Sequence, residues 1–415
     1  MKQFASCSTV GSDRPLAKFA AIATQARAWR HQIHECPELL FDLPQTSALV
    51  RERLQEFGCD QVVSGIAGSG IVATIVGRNS AGPSIALRAD MDALPIDEQT
   101  NLPHASRIAG RMHACGHDGH TAMLLGAAAH LAVNRDFSGR VVLIFQPAEE
   151  GGAGARAMIE DGLLDRFAID AVYAMHNKPG LPVGAFATRS GPMLAAGDRF
   201  VVTFEGQGGH AAMPHLATDC VLAASNLVGA LQSIASRFTD PFDPVVVSVT
   251  YVEGGKEAAL NVIPARVRVG GSIRTINPAT RAFVEKRFRQ IVAACARQAD
   301  CEAAIEWRPG YPVMVNHPAG VHTAASAARR VVGADMVDEH CPQLMGSEDF
   351  SYMLEHRPGA LIWVGNGCSA DLHSNAYDFN DDAIPYGIAF WVSLVEQELG
   401  VGKRRGAHQP RATEE

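Results

Sequence analysis

The run His113-Ala-Cys-Gly-His-Asp-Gly-His120 places three histidines, a cysteine and a carboxylate within eight residues. Imidazole and thiolate are the ligands that zinc and other borderline divalent metals prefer. Cys115 and His117, one glycine apart, can reach the same metal or two neighbouring ones. More metal-capable side chains recur along the chain: Asp90-Met-Asp92, Glu149-Glu150 after Gln146-Pro-Ala, Met175-His176, and far downstream Leu372-His373-Ser. Each alone is an ordinary loop feature. Together they supply the ligand count of a two-metal hydrolytic site. A thiol among imidazoles also admits a different chemistry, a cysteine hydrolase with Cys115 as nucleophile and His117 or His176 as base. That reading leaves Glu149, Glu150 and His373 without work.

The elements around these residues alternate. Residues 16–57 read as helical up to Gly58, and strands follow at 70–76, 84–88 and 141–145. An alanine-rich helix over 119–133 separates the last two, and a helix over 154–161 leads to a strand over 171–175. Apolar strands alternating with helices predict an α/β layer with a mostly parallel sheet. Ligands of such sheets collect at the carboxyl ends of the strands. Asp90, Glu149 and His176 each stand where one of these strands ends.

The pattern changes near residue 193. Strand 199–204, helix 219–236, strands 245–251 and 266–274, helix 279–297 and strand 302–307 follow in order. That β-α-β-β-α-β succession is the signature of a ferredoxin-like unit. The expected division is a first domain over 1–192 and 309–400, with an inserted α+β domain over 193–308 and a flexible tail over 401–415. The second part of the first domain brings a helix over 319–332 and a strand over 360–364.

Composition agrees with this architecture. A chain of 415 residues exceeds one ordinary core, so two domains are the default. Hydrophobic content of 47% with 19% charged residues describes a packed globule. The net charge of -8 argues against nucleic acid or an anionic membrane as partner. No apolar run reaches membrane-spanning length, and no signal peptide is recognisable near the N-terminus. Nine scattered cysteines without a Cys-x-x-Cys pair suggest reduced thiols and a cytoplasmic location. Cys59, Cys220 and Cys295 sit in apolar or helical surroundings and read as small core residues.

Five motifs then stand in one order: Arg88-Ala-Asp-Met-Asp-Ala-Leu-Pro95, Met112-His-Ala-Cys-Gly-His-Asp-Gly-His120, Gln146-Pro-Ala-Glu-Glu-Gly151, Gly208-Gly-His-Ala-Ala-Met-Pro-His215 and Met345-Gly-Ser-Glu-Asp-Phe350. With them the chain resembles the metallopeptidase M20 family over about residues 16–400. Within it, the chain is most similar to the amidohydrolase branch that includes hippurate hydrolases and N-acyl-amino-acid amidohydrolases.

The resemblance implies metal ligands Cys115, His117, Glu150, His176 and His373, holding two divalent ions, with zinc, manganese, nickel and cobalt all acceptable. It implies that Cys115 bridges the ions, where other branches use a carboxylate. Glu149 becomes the general base, and Asp92 the carboxylate that orients a ligand. Asp118, His113 and His120 carry no metal role in the family and are expected in helix capping, packing or pocket lining. His210 is expected to stabilise the oxyanion, often across a subunit boundary, while Asn261 and Arg274 match positions that hold the substrate. An arginine fork suits a free α-carboxylate because it makes two parallel, charge-assisted bonds. Gln207 departs from the pattern, since a basic residue more often precedes Gly-Gly-His there.

The implied reaction is hydrolysis of an N-acyl or N-aroyl amino acid. Metal coordination draws the pKa of water from ~15.7 towards ~7, so that hydroxide exists near neutral pH. Glu149 passes the proton on to the leaving nitrogen. A dipeptidase or aminoacyl carboxypeptidase is the alternative within the family. A non-catalytic metal-binding protein is a third class, against which the intact Glu149 argues. A small-molecule substrate and a homodimer or higher homo-oligomer are the partners that the resemblance implies.

Overall fold

The computed structural model describes residues 16–400. The expected flexible tail at 401–415 and the start of the chain, where a signal peptide would stand, lie outside the described residues. The chain divides into two compact units, one of residues up to Ser190 with Asn316–Cys341 and Met353 onward, the other of Gly191–Val315 with Pro342–Tyr352.

The first unit is built on an eight-stranded sheet. Its centre is four parallel strands, in spatial order Ser138–Gln146, Asn79–Asp90, Ala171–Lys178 and Gly359–Gly365. The apolar stretches of these strands are buried along their length, as strands covered on both faces must be. Gly70–Val76 joins antiparallel at one side, paired in turn with Gln61–Ile66. The edge strand 61–66 escaped the sequence reading because it is mostly exposed and shows no clean alternation.

Helix His117–Val133 packs between helices Ala20–Glu35 and Ile384–Leu399 and is buried on nearly all sides. Gly126 allows the close approach, since a Cβ there would stand 2.5 Å from Ile388. The single helical stretch expected over 16–57 is two helices, Ala20–Glu35 and Pro44–Glu56. Pro37 and Pro44 explain the break, because the residue before a proline is driven out of the α region. Cys36 and Leu43, which precede them, are non-helical.

The second unit has a four-stranded antiparallel sheet in spatial order Val245–Gly254, Arg266–Thr275, Ala196–Glu205 and Glu302–Arg308. Helices Cys220–Ser233 and Pro278–Gln298 pack on it through Phe200, Leu227, Val269 and Phe288. Chain order and spatial order together are those of a ferredoxin-like unit. The fold is thus α/β, with a large mostly parallel sheet and a separate antiparallel one.

Among the described cysteines, Cys36, Cys59, Cys115, Cys220, Cys295, Cys301 and Cys341 are free. Cys368 is disulfide-bonded, so the expectation of reduced thiols fails there. Its position is exposed, on the loop after Gly359–Gly365, where a thiol is open to exchange in a way the buried ones are not. No helix among the described residues is long and apolar enough to cross a membrane.

Candidate active site and metal centre

Most candidate ligands of the first unit are delivered by the carboxyl ends of the parallel strands or by a helix start, and His373 by the loop that follows strand Gly359–Gly365. Asp90 closes one strand, and Asp92 follows it on the loop. Glu149 and Glu150 lie on the turn after Gln146. His176 lies inside its strand, which runs on to Lys178 and so past the expected end. Cys115 and Gly116 lead into the helix that His117 begins. Gly116 is required where it stands, with φ at +89° and a Cβ that would lie 2.6 Å from Asn177 Oδ1 and 2.7 Å from the Tyr377 hydroxyl. His373 sits at φ +65°, held by its own N–H donating to the Ala114 carbonyl at 2.8 Å.

These segments bring their side chains together. Cys115, His117 and His176 form one group of potential ligand atoms within 4.8 Å of one another, and Cys115, Glu150 and His373 form another. Cys115 is common to both. A third group adds Glu149 to His117 and Glu150. The Sγ of Cys115 stands 3.4 Å from Nε2 of His176. Two donors at about 2.3 and 2.1 Å from one tetrahedral ion would stand about 3.6 Å apart.

The ring orientations fit ligation. His117 donates from Nδ1 to the Asp92 carbonyl at 2.8 Å, which leaves Nε2 facing the group. His176 likewise uses Nδ1 on the Asn177 carbonyl at 2.8 Å. Nε2 of His117 is buried without a hydrogen-bond partner, and Oε1 of Glu150, also buried, has His373 Nε2 3.3 Å away. Orphaned donors and acceptors are costly unless something else satisfies them, and a cation would. The residues present therefore fit a divalent metal.

Electrostatics say the same. Burial, with Glu150, Glu149 and Asp90 close by, pushes the Cys115 thiol well above its ordinary value. Burial opposes charge on His117, yet Asp90, Asp92 and Glu150 outweigh it and lift the imidazole to about 10. Burial would raise Glu150, but His373 and His117 hold it below the usual carboxylate range. A pocket that collects this much negative charge favours cations, and a bound cation lowers a thiol's pKa.

Asp92 touches the group by its backbone and by its side chain. Its Oδ1 accepts the N–H of Glu149 at 2.9 Å, and its Oδ2 accepts that of Glu150 at 3.0 Å. Asp118, His113 and His120 are buried. Asp118 does not cap its helix; its carboxylate takes Nη1 of Arg30 at 3.0 Å and Nδ1 of His34 at 2.8 Å. Arg30 and His34 carry no signal in the sequence, because they lie more than eighty residues from Asp118.

The second unit holds the other three candidates. His210 and Asn261 are neighbours: His210 pairs with Val262, and the Ala211 N–H donates to the Asn261 carbonyl at 3.0 Å. Both are exposed. Arg274 is half-buried and donates from Nη1 to the Ser347 hydroxyl at 2.6 Å. Ser347 belongs to the Met345–Phe350 motif, whose role the sequence alone did not reveal.

Comparison with known proteins gives the family. The profile of peptidase family M20/M25/M40 matches residues 86–397. The chain is 42% identical to the N-acetyl-L-cysteine deacetylase of Bacillus subtilis over 356 residues, 86% of this chain and 83% of that one. It is 40% identical to the hippurate hydrolase of Campylobacter jejuni over 370 residues, covering 89% and 95% of the two. A solved Bacillus subtilis structure, described as a dinuclear metal binding peptidase of the M20 family, superposes with a TM-score of 0.79 at 35% identity, covering 90% of this chain and 98% of that one. The chain belongs to peptidase family M20/M25/M40, and it is a divalent-metal hydrolase acting on C–N amide bonds.

Proposed function

We propose that this enzyme hydrolyses the amide of N-acyl or N-aroyl amino acids, releasing a carboxylic acid and a free amino acid. The observation that carries the reading is the pair of ligand groups sharing Cys115, with Glu149 within reach of His117 and Glu150. Cys115, His117 and His176 would hold one ion, and Cys115, Glu150 and His373 the other. A divalent pair held by these residues would supply Lewis acidity toward the carbonyl and would lower the pKa of water from ~15.7 towards ~7.

The rest is the work of the chain. Glu149 takes the proton of the attacking water and returns it to the leaving nitrogen. Asp92 fixes the turn that carries Glu149 and Glu150. His210 supplies a hydrogen bond to the developing oxyanion, of the kind whose removal costs about 10²–10³ in kcat. Arg274 grips the substrate's α-carboxylate, steadied by Ser347, and Asn261 binds beside His210. Residues 193–308 act as the lid and as the contact of a homodimer, and residues 1–192 with 309–400 carry the reacting groups. Zinc or manganese serve this ligand set, and the enzyme works in the cytoplasm.

The relatives named for N-acetylcysteine and hippurate both act on an acyl group joined to an amino acid, which supports this substrate class over short peptides. The test is a panel of hippurate, N-acetyl-amino acids, their α-amides and dipeptides, assayed for released amine. Hydrolysis of acylated amino acids that fails on the α-amides is expected. Turnover confined to dipeptides with a free amino terminus would replace the proposal with a dipeptidase.

A further inference from the structure

A continuous line of buried hydrogen bonds runs beneath the candidate ligands. Nδ2 of Asn177 donates to the Tyr377 hydroxyl at 2.5 Å, and Oδ1 of Asn177 lies 2.7 Å from Nε2 of His120. Nδ1 of His120 lies 2.6 Å from Oδ1 of Asp90. Oδ2 of Asp90 takes Nη1 of Arg88 at 2.7 Å, and Nε of Arg88 donates to Gln146 at 2.8 Å. Asp90 and His120 are almost wholly withdrawn from solvent. Asp90 and His120 also form a group of potential ligand atoms with His117, but the reaction proposed above uses neither as a ligand or as a proton carrier.

Their placement is uneven with respect to the two ligand groups. The His120 ring meets the His176 ring edge-on, with centroids 4.5 Å apart, and the His117 ring at 5.5 Å. Asp90 Oδ2 stands 3.7 Å from Nε2 of His117, the nitrogen left facing the site. Glu150 and His373, by contrast, are anchored elsewhere, through the Asp92 carboxylate and the Ala114 carbonyl. Asp90 and His120 thus stand against the ring ligands of one group, whereas Asp92 serves both groups, through His117 and through Glu150.

We propose that Asp90 and His120 are positioning residues for His176 and His117, and that they set the affinity of the position formed by Cys115, His117 and His176 without setting that of Cys115, Glu150 and His373. The inference rests on the reading of two ions sharing Cys115. Groups that orient a ligating imidazole are generally worth about 10- to 100-fold in metal affinity. Asp90→Asn keeps the shape and one acceptor but loses the carboxylate that His120 and Arg88 hold. His120→Asn keeps a donor near Asp90 and loses the ring edge against His176.

The test is equilibrium dialysis of the metal-free full chain against zinc, for wild type, Asp90→Asn and His120→Asn. Wild type binding two equivalents, with one weakened about 10- to 100-fold in each variant and the other unchanged, is the expected result. Two equivalents in wild type with both weakened alike in the variants would mean a general structural role and overturns the proposal. So would variants that bind as wild type does. Fewer than two equivalents in wild type would overturn the two-ion reading first and this inference with it. Should Asp90→Asn not fold, His120→Asn alone decides by the same criterion.

Discussion

Asp92 and Glu149 are joined by a hydrogen bond from the Glu149 backbone N–H to Asp92 Oδ1, at 2.9 Å. The second oxygen of the same carboxylate takes the N–H of Glu150 at 3.0 Å, and the Asp92 carbonyl takes Nδ1 of His117 at 2.8 Å. One residue thus sets the direction of the proposed base, a proposed ligand carboxylate and a proposed ligand imidazole. Burial raises the Asp92 carboxyl, and the donors of His117 and Glu150 work against that rise.

Replacing Asp92 by alanine frees the 149–150 turn by removing the acceptor of two N–H groups. A 10- to 100-fold loss is expected in metal affinity or in kcat/KM, the usual effect of removing a group that orients metal ligands. Asp92→Asn retains one acceptor and is expected to lose less. Steady-state kinetics with metal content measured on the same samples check both.

Glu149→Gln keeps the shape of the turn, since the bond to Asp92 comes from the backbone. The substitution removes a proton acceptor, so kcat is expected to fall by about 10²–10⁴, the range of general acid–base catalysis. Bound metal is expected to stay at the wild-type amount, which elemental analysis reads. A variant that retains wild-type kcat would remove Glu149 from the reaction.

Arg274→Ala removes the fork proposed to hold the substrate carboxylate. A hydrogen bond to a charged group is worth about 1.5–3 kcal/mol, which corresponds to a rise of roughly 10- to 100-fold in KM. Arg274→Lys is expected to recover only part of it, because an ammonium cannot make the paired contact. Kinetics on hippurate check this: KM should rise while kcat changes far less, and an unchanged KM would remove Arg274 from substrate binding.

Stability should depend on pH through the pair His34 and Glu98. Burial works against charge on His34, but Asp118 and Glu98 hold its pKa up at about 9. A raised folded-state value means stability that is complete below about pH 6.5 and is lost as pH rises through 9. Burial would raise Glu98, but His34, Thr100 and the Ser106 N–H bring it down to about 2. Its contribution is present above about pH 4.5 and is lost as pH falls through 2. His34→Gln should therefore flatten the fall of Tm between pH 6.5 and 9. An unchanged slope in that window would contradict this.

Much of the site was legible in the sequence because its chemistry demands particular residue types. Cys115, His117, Glu150, His176 and His373, which the resemblance singles out, gather in space, and their role as ligands is the proposal made above. The parallel sheet was legible through its unbroken apolar strands, and the inserted unit through its order of elements. What stayed hidden depends on distance along the chain. Arg30 and His34 meet Asp118 only because helix Ala20–Glu35 packs against helix His117–Val133. His120 stood in plain view within the motif, yet only the fold shows its nitrogens occupied by Asp90 and Asn177.

The proposed reaction depends on bound metal. The most direct measurement is hippurate hydrolysis by chain stripped with a chelator and then titrated with zinc or manganese, counting bound ions at each step. Activity should vanish on stripping and return as the second equivalent is bound. Activity that survives complete removal of metal, and is lost instead when the stripped chain is alkylated at its thiols, would contradict it and make Cys115 the nucleophile.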